Sequence, residues 1–131
     1  MADPAARVPL GRTRLRISRL SLGGAPIGGL PDTTGEETAA QIITRAYGLG
    51  IRAFDTAPLY GAGKSERWMG AALRTLPRDE IVVATKVGRL IRPDEAGKPS
   101  ATFDYSYDGV MRSVEESLER LGLDRVDVLH I

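Results

Sequence analysis

An α/β fold with parallel strands is what this sequence predicts, and three observations predict it. Short apolar stretches alternate with helix-periodic ones along most of the 131 residues. One apolar stretch, Ile81-Val-Val-Ala-Thr, runs without polar interruption, as a strand covered on both faces does. Glycines and prolines punctuate the joins, and strand–helix alternation of this kind implies right-handed β-α-β units.

Ahead of the alternation, residues 8–18 read as two short strands about a turn at 11–13, with Leu15 and Ile17 alternating with arginines as in a half-exposed hairpin. Leu20-Ser-Leu-Gly-Gly is a short strand stopped by paired glycines, and 26–32, with Gly28, Gly29 and Pro31, is loop. A helix follows. Thr34 stands three residues before Glu37, the spacing of a capping box, and Ala39, Ile42, Ile43 and Ala46 make one apolar stripe that ends at Gly48 and Gly50. Residues 51–55 form the next strand and 56–64 a glycine-rich loop. Ser65 is the expected N-cap of a second helix with Trp68, Met69, Ala72, Leu73 and Leu76 on one side and Pro77 as its stop.

The apolar run ending at Lys86 is the third strand. The polar connection 88–107, with Pro93, Gly97 and Pro99, is longer than structureless loops usually are and reads as a functional flap. The third helix, 109–121, has Met111, Val114, Leu118 and Leu121 in phase and Gly122 as its stop; residues 126–131 are the fourth strand. The expected order is a hairpin followed by β-α-β-α-β-α-β.

Composition narrows the function classes. Hydrophobic residues are 42% and charged ones 27%, the usage of an ordinary globular domain. The net charge of +1 comes from 18 basic and 17 acidic residues mixed along the chain, so neither a nucleic-acid footprint nor a membrane-surface helix is indicated. No apolar run approaches the ~18 residues of a membrane span, and 1–10 contain no signal-peptide core, so a cytoplasmic protein is expected. With no cysteine and one histidine, no metal constellation is visible. Gly63-Lys64-Ser65 looks like the end of a P-loop, but Pro58 stands where the opening glycine belongs, and Gly23, Gly24, Gly28 and Gly29 lack G-x-G-x-x-G spacing.

The strand ends carry the chemistry. Asp55 closes the second strand, Tyr60 lies just beyond it, and Lys86 closes the third. Singly, each has an ordinary structural explanation: a turn cap, a loop aromatic, a lysine snorkelling to water. Together they form a set, because a carboxylate and an ammonium on neighbouring parallel strands pair, which offsets the cost of a half-buried lysine. An ammonium beside a phenol favours the phenolate, so such a tyrosine can give a proton to a carbonyl oxygen or take one from an alcohol.

The run Phe54-Asp-Thr-Ala-Pro-Leu-Tyr-Gly-Ala-Gly-Lys-Ser-Glu, followed by Thr85-Lys-Val-Gly, resembles the aldo-keto reductase superfamily in spacing and order. Ser21-Leu-Gly-Gly and Ser113-Val-Glu-Glu-Ser-Leu-Glu-Arg-Leu-Gly-Leu-Asp extend the likeness over essentially the whole chain. Gly24-Ala-Pro-Ile-Gly-Gly and Phe103-Asp-Tyr-Ser-Tyr-Asp-Gly-Val-Met-Arg-Ser are similar to the branch of aldose dehydrogenases acting on L-fucose or D-threo-aldoses, with pyridoxal dehydrogenases close by.

The resemblance implies the N-terminal half of a (β/α)₈ TIM barrel: one partial domain over 1–131, with the hairpin 8–17 closing the bottom and 19–131 supplying four barrel strands and three helices. It implies Tyr60 as general acid/base, Lys86 as the group that adjusts its acidity, and Asp55 as the group that orients Lys86. Gly24, Ala25 and Asp55 would line the nicotinamide of NADP or NAD, and the substrate would be a small sugar or aldehyde. The family's further histidine, in the pattern Asp-x-x-x-x-His counted from Asp127, falls one position after Ile131. His130 stands two residues earlier and is expected to point into the barrel below the catalytic layer, as a packed core residue or one that supports the catalytic groups from behind. Half a barrel has open parallel edges, so self-association and absence of turnover in the isolated chain are expected. Two readings remain: half of a sugar dehydrogenase, or a non-catalytic cofactor-binding or regulatory subunit. The presence of Asp55, Tyr60 and Lys86 together favours the first.

Overall fold

The computed structural model describes residues 3–29 and 35–131. Two short strands, β1 (Arg7–Pro9) and β2 (Arg16–Ser18), pair antiparallel with Val8 opposite Ile17. Then come β3 (Ser21–Gly23), α1 (Glu36–Gly48), β4 (Ala53–Asp55), α2 (Lys64–Leu73), a 3₁₀ turn (Arg78–Glu80) and β5 (Val82–Lys86). A second hairpin, β6 (Arg89–Pro93) with β7 (Pro99–Phe103), precedes α3 (Tyr107–Leu121) and β8 (Val128–His130).

The strands β3, β4, β5 and β8 lie side by side in that order, all parallel. This is the α/β arrangement expected for the first part of a (β/α)₈ barrel. Register puts Gly23 beside Asp55, Asp55 beside Ala84, and Lys86 beside His130. Because strand residues alternate faces, Val82, Ala84 and Lys86 share one side of β5 and Val83 and Thr85 the other. The second side is the core: Leu22, Phe54 and Val83 pack with Ile43 of α1, Met69 and Leu73 of α2 and Leu121 of α3. Full burial of side chains such as Ile43, Phe54, Leu73 and Leu121 stabilises the sheet–helix interface by ~1.5–3 kcal/mol each. Leu10 and Ile17 of the first hairpin line the opposite, concave side together with Ser21, Ala53 and Val82 at the strand beginnings, so the hairpin sits at the N-terminal end of the sheet.

Several local expectations are corrected. Gly35 holds the N-cap position of α1, and Thr34, from which a capping box was expected, lies with the rest of 30–34 outside the described residues. Ala39 and Ile43 are buried, but Ile42 sits on the rim of the stripe and is exposed. Ser65 is not the N-cap of α2. Gly63 is, in a left-handed conformation, and Ser65 is buried one residue inside the helix. The connection 88–107, expected as a flap, holds a hairpin: β6 and β7 pair over five residue positions and β6 packs on α3, where both guanidinium nitrogens of Arg92 reach the two carboxylate oxygens of Glu116 at 2.6 and 3.0 Å. The buried line of α3 is Gly109, Ser113, Ser117 and Leu121, whereas Met111 is exposed. The helices demand this, since α2 and α3 approach too closely for large side chains. A Cβ on Gly70 would lie 2.1 Å from the Leu121 carbonyl oxygen.

Two outcomes follow from this packing. Gly70→Ala forces backbone against backbone and lowers the free energy of unfolding by about 3 kcal/mol, the upper part of the overpacking range, in urea titration with an unchanged m-value. The bonds from Arg92 hold the Glu116 carboxyl below its ordinary value of 4.5. A lowered carboxylate contributes stability above its unfolded value and loses it as pH falls through the folded one. The stability deficit of Arg92→Gln is therefore full above pH 4.5 and shrinks on acidification below it; with both partners partly exposed it stays under ~1 kcal/mol.

Candidate active site

Parallel strands bring their C-terminal ends to one rim, and the three groups singled out in the sequence meet there. Asp55 ends β4 and Lys86 ends β5. The Lys86 ammonium donates to Asp55 Oδ2 at 3.0 Å, to Asp55 Oδ1 at 3.2 Å and to the Thr56 carbonyl at 3.0 Å. Its side chain is 18% exposed and that of Asp55 31%, so the pair is half-buried and only partly screened. Lys86 Nζ also lies 5.0 Å from the centroid of the Tyr60 ring, within cation–π reach. Carboxylate, ammonium and phenol ring thus form one contiguous set.

Tyr60 is carried by a tightly wound loop. Gly61, Ala62 and Gly63 are all left-handed, and Ala62 is the one non-glycine residue with positive φ among those described. The wound loop satisfies its own backbone: Tyr60 N–H donates to Ala57 O, Gly63 N–H to Pro58 O, and Ser65 N–H to Tyr60 O. The turn at 25–29 presses on it with no side chains between. A Cβ on Gly28 would meet the Tyr60 carbonyl at 2.5–2.6 Å, and one on Gly61 would stand 2.1 Å from Gly28 O.

Beneath the rim lies a buried polar network that the sequence reading missed. Ser65 Oγ donates to Gly24 O at 2.8 Å, so the 2.8 Å contact between Ser65 and Thr56 is a donation from the Thr56 hydroxyl. Gly24 N–H donates to Asp55 O at 2.7 Å. One residue on, Glu66 is wholly buried; its Oε1 accepts from the Thr85 hydroxyl at 2.7 Å and its Oε2 from Arg120 Nε at 2.5 Å. The sequence carried one signal for it: Glu66, Met69 and Leu73 fall at i, i+3 and i+7, which places a carboxylate on the apolar face of a helix.

The remaining expected site residues fall as follows. Gly24 and Ala25 are the two residues after β3. The main-chain N–H and C=O of Gly24 are taken by Asp55, Ser65 and Gly28, so it can contribute shape but no free hydrogen bond. His130 is not packed. Its side chain is 53% exposed, beside Lys86 in register, with Nε2 3.6 Å from Asp55 Oδ1. It reaches the rim because β8 keeps pace with β5, which puts it level with Lys86 rather than below it. Gly23, Asp55, Tyr60, Lys86 and His130 border an open cavity of about 550 Å³ on the inner face of the sheet, floored by Ala53, Val82 and Ala84. Among the described residues there is no cluster of metal-ligating side chains and no helix long and apolar enough to cross a membrane.

Comparison with known proteins agrees with this architecture. A D-threo-aldose 1-dehydrogenase from Pseudomonas sp. is 41% identical over 132 residues, an alignment covering 89% of this chain and 40% of that protein. A pyridoxal 4-dehydrogenase from Microbacterium luteolum is 40% identical over 142 residues, covering 93% and 41%. Among solved structures, an aldo-keto reductase from Bacillus halodurans in its holo form superposes with a TM-score of 0.79 at 34% identity, over 94% of this chain and 38% of that one. The chain spans about 40% of the length of the curated relatives it matches. The family model described as aldo/keto reductase matches residues 19–131, the whole parallel sheet with its helices, and the chain belongs to that family.

Proposed function

We propose that this chain is the part of a nicotinamide-dependent oxidoreductase that handles the proton, with Tyr60 as general acid/base. The observation that carries the reading is the Lys86 ammonium, held by both oxygens of Asp55 and by Thr56 O, against the face of Tyr60. A phenol beside a fixed positive charge is suited to moving a proton to or from a substrate oxygen. Asp55 keeps the ammonium in place, and Lys86 in turn keeps its charge beside the ring rather than out in water. The bond between the substrate's carbon and a hydride is the chemistry that bound NADP or NAD supplies.

The apolar floor and polar rim of the cavity support a flat ring of that kind. Gly24, Ala25 and Asp55 would border the nicotinamide, Gly24 being kept bare by the close approach of Met69 and Ser65 behind it. The substrate class we infer is an aldose oxidised at C1, or a small aldehyde or alcohol. The named relatives support it: one is a D-threo-aldose 1-dehydrogenase, another an L-galactose dehydrogenase from Arabidopsis thaliana, and a third an NADH-specific methylglyoxal reductase from Escherichia coli.

Tested within a complete barrel, Tyr60→Phe is expected to lower turnover 10²–10⁴-fold, roughly the usual contribution of general acid–base catalysis, while nucleotide affinity measured by fluorescence titration barely changes. Turnover at the unsubstituted rate would rule Tyr60 out as the proton donor, and no turnover in the unsubstituted barrel would turn the reading toward a binding subunit.

A further inference from the structure

We propose that the first turn of α2 is the positioning device of this site: Glu66, acting through Thr85, sets where β5 holds Lys86. The proposal rests on the reading that Lys86 and Tyr60 work as a pair, and it names two residues that touch neither substrate nor cofactor.

The starting point is the wholly buried Glu66 carboxylate. A buried carboxylate is unfavourable unless each oxygen is met by a donor. Tying α2 to α3 needs only the bond from Arg120, which occupies Oε2. The other oxygen takes the hydroxyl of Thr85, at 2.7 Å. Thr85 is the only polar residue in the buried run 81–85, and it immediately precedes Lys86. Strand alternation turns the two side chains to opposite faces, so fixing Thr85 from the helix side fixes the direction in which Lys86 leaves the strand on the cavity side.

The neighbouring residue does the same for the other strands. Ser65 Oγ holds Gly24, just after β3, and accepts from Thr56, just after β4, while Ser65 N–H holds the carbonyl of Tyr60 itself. Two adjacent helix residues therefore grip three consecutive strand ends and the loop that carries the phenol. The Lys86 ammonium must satisfy Asp55 and Thr56 O at 3.0–3.2 Å, and a strand end freed from Glu66 samples positions where those bonds lengthen.

The test reads the accessibility of Lys86 directly. The chain has three lysines, Lys64, Lys86 and Lys98, which makes acylation by sulfo-N-hydroxysuccinimide acetate, mapped by peptide mass, a site-resolved probe with internal controls. In the unsubstituted chain Lys86 should be acylated more slowly than exposed Lys98. Thr85→Val should speed acylation of Lys86 about fivefold, the population change expected from losing one ordinary buried hydrogen bond, with Lys98 unchanged. Thr85→Ser, which restores the hydroxyl, should return Lys86 to its slow rate. Unchanged protection of Lys86 in Thr85→Val, with the fluorescence of Trp68 intact, would overturn the proposal. If Thr85→Val fails to fold, so that all three lysines react together, Glu66→Gln decides: a rise confined to Lys86 supports the proposal and its absence overturns it. Acylation needs no turnover, so this result is separate from that of Tyr60→Phe. Failure of one leaves the other standing.

Discussion

A lysine that ends an apolar strand has to be neutralised where it stands, and most of this structure is arranged around doing so. β5 is buried from Ile81 through Thr85, and its next residue is the ammonium-bearing Lys86. The parallel register sets Asp55 beside Ala84, two residues before Lys86 on the same face, so the carboxylate reaches the ammonium from the layer below. An antiparallel neighbour would send its C-terminal end to the opposite rim of the sheet and leave the charge unmatched. The same register exposes the opposite face of the ammonium to the loop after β4, where Tyr60 sits. Pairing, strand direction and loop placement are one constraint seen from three sides.

Behind the rim the structure uses small polar residues where a core would ordinarily be apolar. Ser65, Thr56, Thr85, Ser113 and Ser117 are all buried, and α2 and α3 close on each other through Gly70. Close helix approach brings polar backbone near polar side chains, and each hydroxyl finds a partner: Ser113 donates to the carbonyl of Val110 and itself receives the Gly88 N–H at 2.8 Å, and Ser117 accepts from Arg120 at 3.2 Å. The boundary between sheet and helices is thus directional near the site and merely close-packed elsewhere, among Ile43, Phe54, Leu73 and Leu121. Directional contacts restrict sliding more than apolar ones do, at a cost in desolvation that only a fully satisfied network offsets.

The alternation of strands and helices, and the placing of Asp55, Tyr60 and Lys86 at strand ends, were legible in the sequence because both are properties of local pattern. The apolar run 81–85 and the turn residues around it admit few other readings. Helix faces were less legible. Periodicity marked Ile42 and Met111 as inward, yet both are exposed, because the burying surface is set by which neighbour arrives and how closely. Ser65 looked like a cap because serine before an apolar stripe usually is one; tertiary contact with Gly24 and Thr56 recruits it instead. The hairpin of β6 and β7 was hidden by its prolines, which stand opposite each other at its turn end, Pro93 against Pro99. His130 was assigned by counting along one strand, whereas its level depends on the stagger between β5 and β8, which no single strand encodes.

The contact between Gly28 and Gly61 has a consequence for how such a site can diversify. Main chain rests on main chain there, so this one contact does not depend on the identity of any side chain. Side-chain exchanges elsewhere on these two loops then need not tilt the ring. The two glycines work like a keystone joint: selectivity is free to drift around them for as long as neither acquires a methyl group.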